Sequence, residues 1–300
     1  MRIGTRSSAL ALTQARAVSE LLGDCEIVQI TTSGDRGVRD GQDKSRWVDA
    51  IEDALLAGQI DLAVHSAKDL PVQLADGLEL LGTPARETPE DALCGASDLS
   101  RLTHGARVGS SSLRRRAQLL AARSDLEVTA ISGNVDTRLT KLAEGTQRLD
   151  AIVLARAGLR RLGRESEIGA VLDLERFLPS PGQGALALQG RTGDERTGEA
   201  ARAISDPDAF ACLRAERSLG RGLDGSCHTP LGALAQPCDG ERLLLRAWVG
   251  LPDGSEWIAD QLYGDRSEPE ELGLRLSTRM RSVGAAELLA RAQEMAVEQV

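Results

Sequence analysis

Residues 107–154, RVGSSSLRRRAQLLAARSDLEVTAISGNVDTRLTKLAEGTQRLDAIVL, contain the pattern that decides the fold. Short apolar runs that favour β-strands alternate in this segment with stretches in which apolar residues recur at helical spacing. Such alternation is typical of a parallel sheet with crossover helices, so the segment predicts an α/β unit. We expect the strands at 107–110, 127–132 and 151–154, and the helices at 113–123 and 135–144.

The same alternation precedes this segment and predicts a first α/β unit. A stretch at 87–105 that is rich in turn-forming residues separates the two units. We expect the strands of the first unit at 27–31, 60–65 and 78–81, and its helices at 9–22 and 47–56.

The pattern changes in the last third of the chain. Residues 178–184 read LPSPGQG, which predicts a constrained turn or crossing that could act as a hinge. From residue 206 onward the regular alternation ends, and a smaller α+β unit with a hairpin turn at 252–254 is expected. Its strands are expected at 243–249 and 257–263, and its helices at 209–219, 269–280 and 285–297.

Composition narrows the classes of function. The chain has 36 basic and 45 acidic residues, a net charge of −9. This disfavours a general nucleic-acid binder, whose affinity comes mainly from neutralising phosphates. Three Trp, one Tyr and two Phe are too few for aromatic base-stacking platforms. Because only Lys44, Lys68 and Lys141 are lysines, arginine is the background cation and a lysine is the more informative one.

The five cysteines are odd in number, widely spaced and without a CxxC pair. This argues against a disulfide framework and against a zinc site, so no metal is expected. No apolar run approaches the roughly 18 residues of a membrane helix, and the first residues show no cleavage pattern. We therefore expect a cytoplasmic protein without membrane contact.

Two strand-to-helix turns carry small polar residues followed by arginine, at 109–116 (GSSSLRRR) and at 132–138 (SGNVDTR). Backbone N–H groups and the positive end of a helix dipole favour an anion at such a turn, and Ser and Arg side chains add directional donors. A helix cap with surface arginines is the alternative for either turn alone. Because turns after adjacent parallel strands open on the same edge of a sheet, the two turns together predict one anion-binding wall.

Residues 63–71, AVHSAKDLP, place Lys68 and Asp69 at the end of an apolar strand. A surface ion pair of little energetic value is the usual interpretation of such neighbours. The alternative is a pair inside a cleft. There the lysine would hold an anionic substituent, and the carboxylate would stabilise a developing cation or move a proton.

Residues 224–232, DGSCHTPLG, place Cys227 in a loop punctuated by Gly and Pro. Most free cysteines are small buried apolar residues. A loop cysteine near cations can instead present a nucleophilic thiolate to a cleft. His228 suggests a Cys–His dyad, but adjacent side chains on an extended loop usually diverge, so a solvated histidine is favoured.

Seven motifs in this order resemble those of the porphobilinogen deaminase (hydroxymethylbilane synthase) family, and they span almost the whole chain. They are 2–14 (RIGTRSSALALTQ), 63–71 (AVHSAKDLP), 108–118 (VGSSSLRRRAQ), 133–142 (GNVDTRLTKL), 157–163 (AGLRRLG), 178–185 (LPSPGQGA) and 216–232 (ERSLGRGLDGSCHTPLG).

The resemblance implies an α/β protein with two periplasmic-binding-protein-like α/β domains and a smaller α+β C-terminal domain. The implied activity is that of a transferase in tetrapyrrole (haem) biosynthesis. It joins four porphobilinogen molecules head to tail, with loss of ammonia, into hydroxymethylbilane. The primer is a dipyrromethane cofactor bound through a thioether, here to Cys227. The implied limits are 1–86 with 184–203 for domain 1, 87–178 for domain 2 and 206–300 for domain 3, with crossings near 84–90 and 178–184.

The resemblance also assigns roles to particular residues. Asp69 is the expected catalytic carboxylate, because it would accept pyrrole N–H bonds and stabilise the cation left when ammonia departs. The other matched positions are expected to bind the carboxylates of cofactor and substrate. They are Arg6, Ser8, Lys44, Ser66, Lys68, Ser110, Ser111, Ser112, Arg114, Arg115, Gly133, Asn134, Arg138, Arg161 and Gln183.

The chain departs from the family pattern at a few positions. Ser132 stands where the family usually has arginine, so one carboxylate contact is missing or comes from another cation, with Arg116, Arg36 and Arg46 as candidates. The Gly-Lys-Gly run usual around Lys44 is altered, which could stiffen a mobile loop over the cleft. Gln189 and Asp136 replace residues often seen as Glu and Gly, and we expect both changes to be neutral.

Two other functions stay open at this point. A non-enzymatic anion-binding or sensor protein would need the same two-lobed fold but would have no use for Asp69 and Cys227 together. A low-activity paralogue is favoured only by Ser132 and the altered Lys44 loop. Porphobilinogen is the expected small-molecule partner, nucleic acid is not expected, and a monomer is the default for the family.

Overall fold

A computed structural model describes residues 1–23, 25–32, 48–225 and 229–297. The strands in these ranges are β1 (Arg2–Arg6), β2 (Glu26–Ile30), β3 (Leu62–Ser66), β4 (Leu78–Gly82), β5 (Asp91–Cys94), β6 (Arg107–Gly109), β7 (Glu127–Thr129), β8 (Ala151–Ala155), β9 (Ala170–Val171), β10 (Leu186–Arg191), β11 (Leu231–Cys238), β12 (Arg242–Gly250) and β13 (Trp257–Asp265). The helices are α1 (Ala9–Leu22), α2 (Asp49–Leu56), α3 (Leu113–Ala122), α4 (Val135–Ala143), α5 (Arg156–Arg161), α6 (Glu195–Ala203), α7 (Pro207–Gly222), α8 (Pro269–Ser282) and α9 (Ala285–Val297).

The first two sheets share one topology. The first sheet has the order β2-β1-β3-β10-β4, and the second has the order β7-β6-β8-β5-β9. In each, three parallel strands lie beside one antiparallel strand, β10 in the first sheet and β5 in the second, which also pairs with the edge strand. The carboxyl ends of the parallel strands therefore gather at one edge of each sheet, where ligands bind in open α/β sheets.

The chain crosses between the two sheets twice. It leaves the first sheet after β4 and enters the second at β5, and it returns after β9 to complete the first sheet with β10. The predicted crossings near 84–90 and 178–184 lie in these two connections. The predicted domain limits follow the same division and stay predictions.

The third sheet is an antiparallel meander, β11-β12-β13. Its apolar core includes Leu243, Leu245 and Val249 of β12, which pack against apolar residues of α7, α8 and α9. The turn between β12 and β13 contains Gly254, whose φ of +73° suits glycine, in agreement with the predicted hairpin. Together the three sheets confirm an α/β protein with a smaller α+β C-terminal part.

One central strand contradicts the sequence prediction. Residues 87–105 were expected to form turns, but β5 lies inside them and pairs with both β8 and β9. All four of its residues are buried, so the strand shows no alternation of polar and apolar residues. Turn-forming residues on either side, such as Pro89 and Gly95, favour a loop prediction from sequence for so short a strand. The strands β1, β9, β10 and β11 and the helices α5 and α6 were also not predicted.

A buried carboxylate joins the third unit to both crossings. Glu216 of α7 is fully buried, and its two oxygens accept hydrogen bonds from the Arg86 guanidinium at 2.5 and 3.2 Å. The backbone N–H groups of Gly182 and Ala235 donate to the same oxygens at 2.6 and 2.8 Å. Arg86 also donates to the Gln183 carbonyl at 2.9 Å. Glu216 therefore holds α7, β11 and the two crossings in one arrangement.

We predict that Glu216→Gln lowers the free energy of unfolding by about 3–5 kcal/mol, as is typical when one partner of a buried ion pair is removed. Each carboxylate oxygen faces a backbone N–H, so the amide NH₂ would meet a donor in either orientation. The Arg86 charge would also lose its counter-ion. Urea unfolding followed by circular dichroism measures the loss.

The matched control is Glu270→Gln, because Glu270 pairs with Arg214 at the surface, with side chains 48% and 40% exposed. Exposed pairs are worth about 1 kcal/mol or less. Equal losses in the two variants would contradict the role assigned to Glu216.

Candidate active site

The carboxyl ends of the parallel strands of both sheets face one cleft with a cavity volume of about 700 Å³. The cleft brings together most of the residues predicted from the sequence, from widely separated parts of the chain. These lining residues are Arg6, Ser8, Ser66, Lys68, Asp69, Ser111, Arg115, Gly133, Asn134, Arg138 and Arg161.

The first wall of the cleft is built from the ends of β1 and β3. Ser8 follows β1 and caps α1, its hydroxyl accepting from the Ala11 N–H at 3.3 Å. The Ser66 hydroxyl, at the end of β3, exchanges hydrogen bonds with the Gln14 amide at 2.9 and 3.0 Å. These bonds fix the polar groups of the wall against the first turns of α1.

Lys68 and Asp69 lie in a single 3₁₀ turn, Ala67–Asp69, directly after β3. Both side chains are half-buried and line the cleft, so the pair is a cleft pair rather than an exposed one. Desolvation lowers the pKa of Lys68 to about 8, while the nearby Asp69 carboxylate acts in the opposite direction. A lysine with a pKa of about 8 therefore lies beside the expected catalytic carboxylate.

The second wall is formed by the two predicted anion-binding turns. The Ser111 hydroxyl donates to the Ile131 carbonyl at 2.7 Å and accepts from the Ile131 N–H at 3.0 Å, which ties the turns together. Asn134 caps α4, and the Arg138 guanidinium donates to the Gly133 carbonyl at 2.8 Å. Gly133 has a φ of +108°, and a Cβ there would lie 2.6 Å from the Thr137 side chain, so the turn requires glycine.

Two arginines of α3 are fixed by a carboxylate that no sequence motif indicated. Asp91 of β5 is buried and accepts from Arg114 at 2.8 Å and from Arg115 at 2.7 and 3.0 Å. The Gln183 amide donates to it at 2.9 Å. Although burial acts to raise the pKa of Asp91, the two guanidinium groups hold it well below its usual range. Asp91 lies in the short strand that was expected to be a turn, which is why its role had no signal.

A second cavity of about 290 Å³ adjoins the first, and Lys68 lines both. Ser112, Arg114 and Arg217 also line it. The Arg114 Nη2 atom is buried and has no hydrogen-bond partner in the described part of the chain. An unpaired guanidinium nitrogen beside a cation-lined cavity is suited to an anionic group of a bound molecule.

Some predicted residues lie elsewhere. Ser110 is buried, and its hydroxyl accepts from the Ser112 N–H at 3.2 Å. Gln183 is buried and also donates to the Pro89 carbonyl at 2.7 Å. Neither Ser110 nor Gln183 lines either cavity. Direct carboxylate binding by these two residues stays a prediction that their positions do not support. Lys44 and Cys227 lie outside the described residues, as do Arg36, Arg46 and His228.

The four described cysteines are free. Burial raises the pKa of Cys94 to about 11 and that of Cys212 to about 12, so both thiols are protonated at neutral pH. Cys25 and Cys238 are half-buried, and none of the four lines either cavity. The described ranges contain no cluster of side chains suited to a metal ion.

Within those ranges, no helix has the length and apolar character needed to cross a membrane.

The fold and the cation-lined cleft define a two-lobed α/β protein whose cleft suits a polyanionic small molecule. The family model "Porphobilinogen deaminase, dipyromethane cofactor binding domain" matches residues 1–199, and "Porphobilinogen deaminase, C-terminal domain" matches residues 210–282. The chain belongs to the porphobilinogen deaminase family.

Curated relatives match over nearly their full length. The porphobilinogen deaminase of Thermus thermophilus is 44% identical, over 96% of this chain and 97% of its own. The porphobilinogen deaminase of Deinococcus radiodurans is 43% identical, over 97% of this chain and 98% of its own. Among solved structures, a periplasmic substrate-binding protein of an ABC transporter from Coxiella burnetii is 12% identical, with a TM-score of 0.42, over 70% of this chain and 93% of its own.

Family membership confirms several predictions made from the motifs. The enzyme class and the activity of the family are those expected. The dipyrromethane cofactor is confirmed by the description of the family model that matches residues 1–199, which include the first two sheets. The enzyme is therefore favoured over a non-enzymatic sensor. The roles of the individual site residues stay predictions.

We predict that kcat/KM for an anionic substrate falls as the pH rises through about 8, the pKa of Lys68, because the lysine then loses its positive charge. In Lys68→Arg the guanidinium stays protonated throughout this range, so the decline should move to higher pH. Initial rates between about pH 6.5 and pH 9.5 measure both profiles. An identical alkaline decline in the two proteins would exclude Lys68 as its origin.

Proposed function

We propose that this chain joins four porphobilinogen molecules head to tail into hydroxymethylbilane, releasing one ammonia at each addition, on a dipyrromethane primer held by Cys227. The observation that carries the proposal is the arrangement of the cleft. The carboxylate of Asp69 stands among cations contributed by both sheets, including Lys68, Arg115 and Arg138. Such a site suits a substrate that is anionic at its periphery and becomes cationic at its reacting carbon.

The cationic side chains of the cleft bind the carboxylates of the pyrrole units. Each pyrrole unit carries two carboxylates, so the molecule in the cleft becomes more anionic with every addition. Guanidinium forks suit carboxylates because two parallel N–H bonds match the two oxygens. Arg138 and Arg161 are half-buried, and desolvation lowers the pKa of each below the usual arginine value. A carboxylate that binds to them replaces lost water contacts.

Asp69 is the proposed catalytic residue. Loss of ammonia from porphobilinogen leaves positive charge on the substrate, and a fixed carboxylate stabilises that charge as it develops. The same oxygens would accept the pyrrole N–H groups and hold the ring in place. The 3₁₀ turn after β3 and the stop at Pro71 fix the position of the carboxylate at the cleft.

The second cavity fits the cofactor. When bound, dipyrromethane supplies the pyrrole carbon to which the first substrate molecule is joined. Arg114, with its unpaired Nη2, Lys68 and Ser112 would hold its carboxylates. Gly225 and Thr229, the described residues on either side of the Cys227 segment, also line this cavity. A thioether to Cys227 would anchor the cofactor permanently, because cytosolic thiols do not reduce thioethers.

We further propose that the protein is a cytoplasmic monomer that takes porphobilinogen as its small-molecule partner and binds no nucleic acid. The net charge of −9 supports the last point, since general nucleic-acid affinity comes mainly from surface cations that neutralise backbone phosphates. The substrate follows from the family. Size-exclusion chromatography with light scattering tests the oligomeric state.

We predict that Cys227→Ser gives folded protein that lacks both the dipyrrole mass and the activity. A serine hydroxyl is a much weaker nucleophile than a thiolate, so the thioether cannot be replaced by an equivalent link. Intact-mass spectrometry of the purified protein measures the attachment, and release of ammonia measures turnover.

Cys238→Ser is the matched control, because Cys238 is a half-buried free thiol in β11, outside both cavities. It should keep the added mass and the activity. Retention of the mass in Cys227→Ser, or its loss in Cys238→Ser, would show that the anchor has been misassigned. Wild-type protein without added mass would contradict the proposed function itself.

We predict that Asp69→Asn keeps the fold and the attached cofactor but turns over about 100- to 1000-fold more slowly, the usual loss when one preorganised electrostatic contact is removed. The amide still accepts a hydrogen bond but cannot neutralise a cation. Single-turnover kinetics with porphobilinogen measure the loss. A folded, cofactor-loaded variant with near-normal turnover would refute the role of Asp69.

A further inference from the structure

Ser132 lines the cleft at the position where a family arginine is expected. Of the three candidates from sequence for a replacement cation, only Arg116 lies in the described part of the chain. The Arg116 guanidinium donates to the Val128 carbonyl at 2.7 Å and does not line the cleft. Arg36 and Arg46 lie outside the described residues. Among the described residues, Arg116 therefore does not supply the charge at this point of the wall.

A lysine contacts Ser132 directly. The Lys141 ammonium donates to the Ser132 carbonyl at 3.0 Å and to the Ser132 hydroxyl at 3.2 Å. Lys141 lies in the last turn of α4, and its long side chain extends back along the helix toward the turn that precedes it. One of only three lysines in a chain with 36 basic residues thus reaches the serine that replaces the arginine.

The side-chain hydrogen bond between Lys141 and Ser132 has a defined donor and a defined acceptor. An ammonium group only donates, so the Ser132 oxygen must be the acceptor of this bond. The serine hydroxyl keeps its own proton for a second partner on the cleft side. Such a chain strengthens each bond through polarisation. A carboxylate in the cleft that accepts from Ser132 would therefore interact with both the hydroxyl and the charge behind it.

Among the residues that the structure describes, no neighbouring acid neutralises the charge of Lys141. No carboxylate in the described ranges forms an ion pair with its ammonium, whereas many exposed arginines of the chain are paired, among them Arg164 with Asp136. The positive charge is therefore available to an anion at the Ser132 hydroxyl.

We propose that Lys141 acts through Ser132 as a positioning residue for a pyrrole carboxylate, and that the pair replaces the arginine expected at this point. The inference rests on the proposed function. It assigns to Lys141 a role in substrate affinity rather than in the chemical step, because Asp69 and Lys68 lie on the opposite wall.

The test compares KM and kcat of Lys141→Met, Ser132→Ala and the double variant. Each single change should raise KM for porphobilinogen about three- to tenfold, as expected for the net contribution of one hydrogen bond, with kcat nearly unchanged. The double variant should be no worse than the worse single one, because the two residues act as a unit. Lys141→Arg should stay close to wild type.

The matched control is Arg101→Met, which removes an exposed cation of the same domain, in a 3₁₀ turn outside both cavities. It should leave KM unchanged. Adding Ser132→Arg to Lys141→Met should restore KM, because the guanidinium would then stand at the family position. This rescue distinguishes carboxylate binding from a merely structural brace.

Three results would overturn the inference: an unchanged KM in Lys141→Met, additive losses in the double variant, or a fall in melting temperature without a rise in KM. Failure of the proposed function has a different signature, since wild-type protein would then lack both the dipyrrole mass and turnover. An active, cofactor-loaded wild type with an unaffected Lys141→Met overturns the inference alone.

Discussion

The carboxylate of Asp91 lies at the start of β5, buried among the cations that line the two cavities. A carboxylate without water is strongly unfavourable unless it is paired, and Arg114 and Arg115 provide that pairing. The same bonds prevent the two arginines from turning to solvent. Arg115 then lines the cleft and Arg114 the second cavity. The positive walls are thereby fixed before any ligand arrives, which lowers the entropic cost of binding.

Local patterns allowed much of the fold to be predicted from the sequence. The helix at 9–22 coincides with α1, because apolar periodicity and the Ser8 cap define both faces and the start. The helix at 285–297 likewise coincides with α9. The strand β5 could not be predicted, because a strand that is buried on both faces has no alternation and four residues are too few to outweigh the turn residues around it.

The site shows the same division between local and long-range information. Residues within motifs, such as Lys68, Asp69 and Gly133, line the cleft in the structure, because their turns are determined by nearby residues. The pairing of Asp91 with Arg114 and Arg115 depends on contacts that only the folded chain brings together. Arg116 was considered as a replacement cation because it is close in sequence, but the helix turns it toward β7.

The position of β10 has a consequence for how the chain folds during synthesis. This strand lies between β3 and β4, yet it emerges from the ribosome only after all strands of the second sheet. The second sheet can therefore form completely while β3 and β4 of the first sheet still lack their common partner strand. Domains generally fold as units as they are synthesised, so the middle of this chain should acquire a native core before its beginning does. A chaperone that shields exposed strand edges would meet the N-terminal segment at that stage.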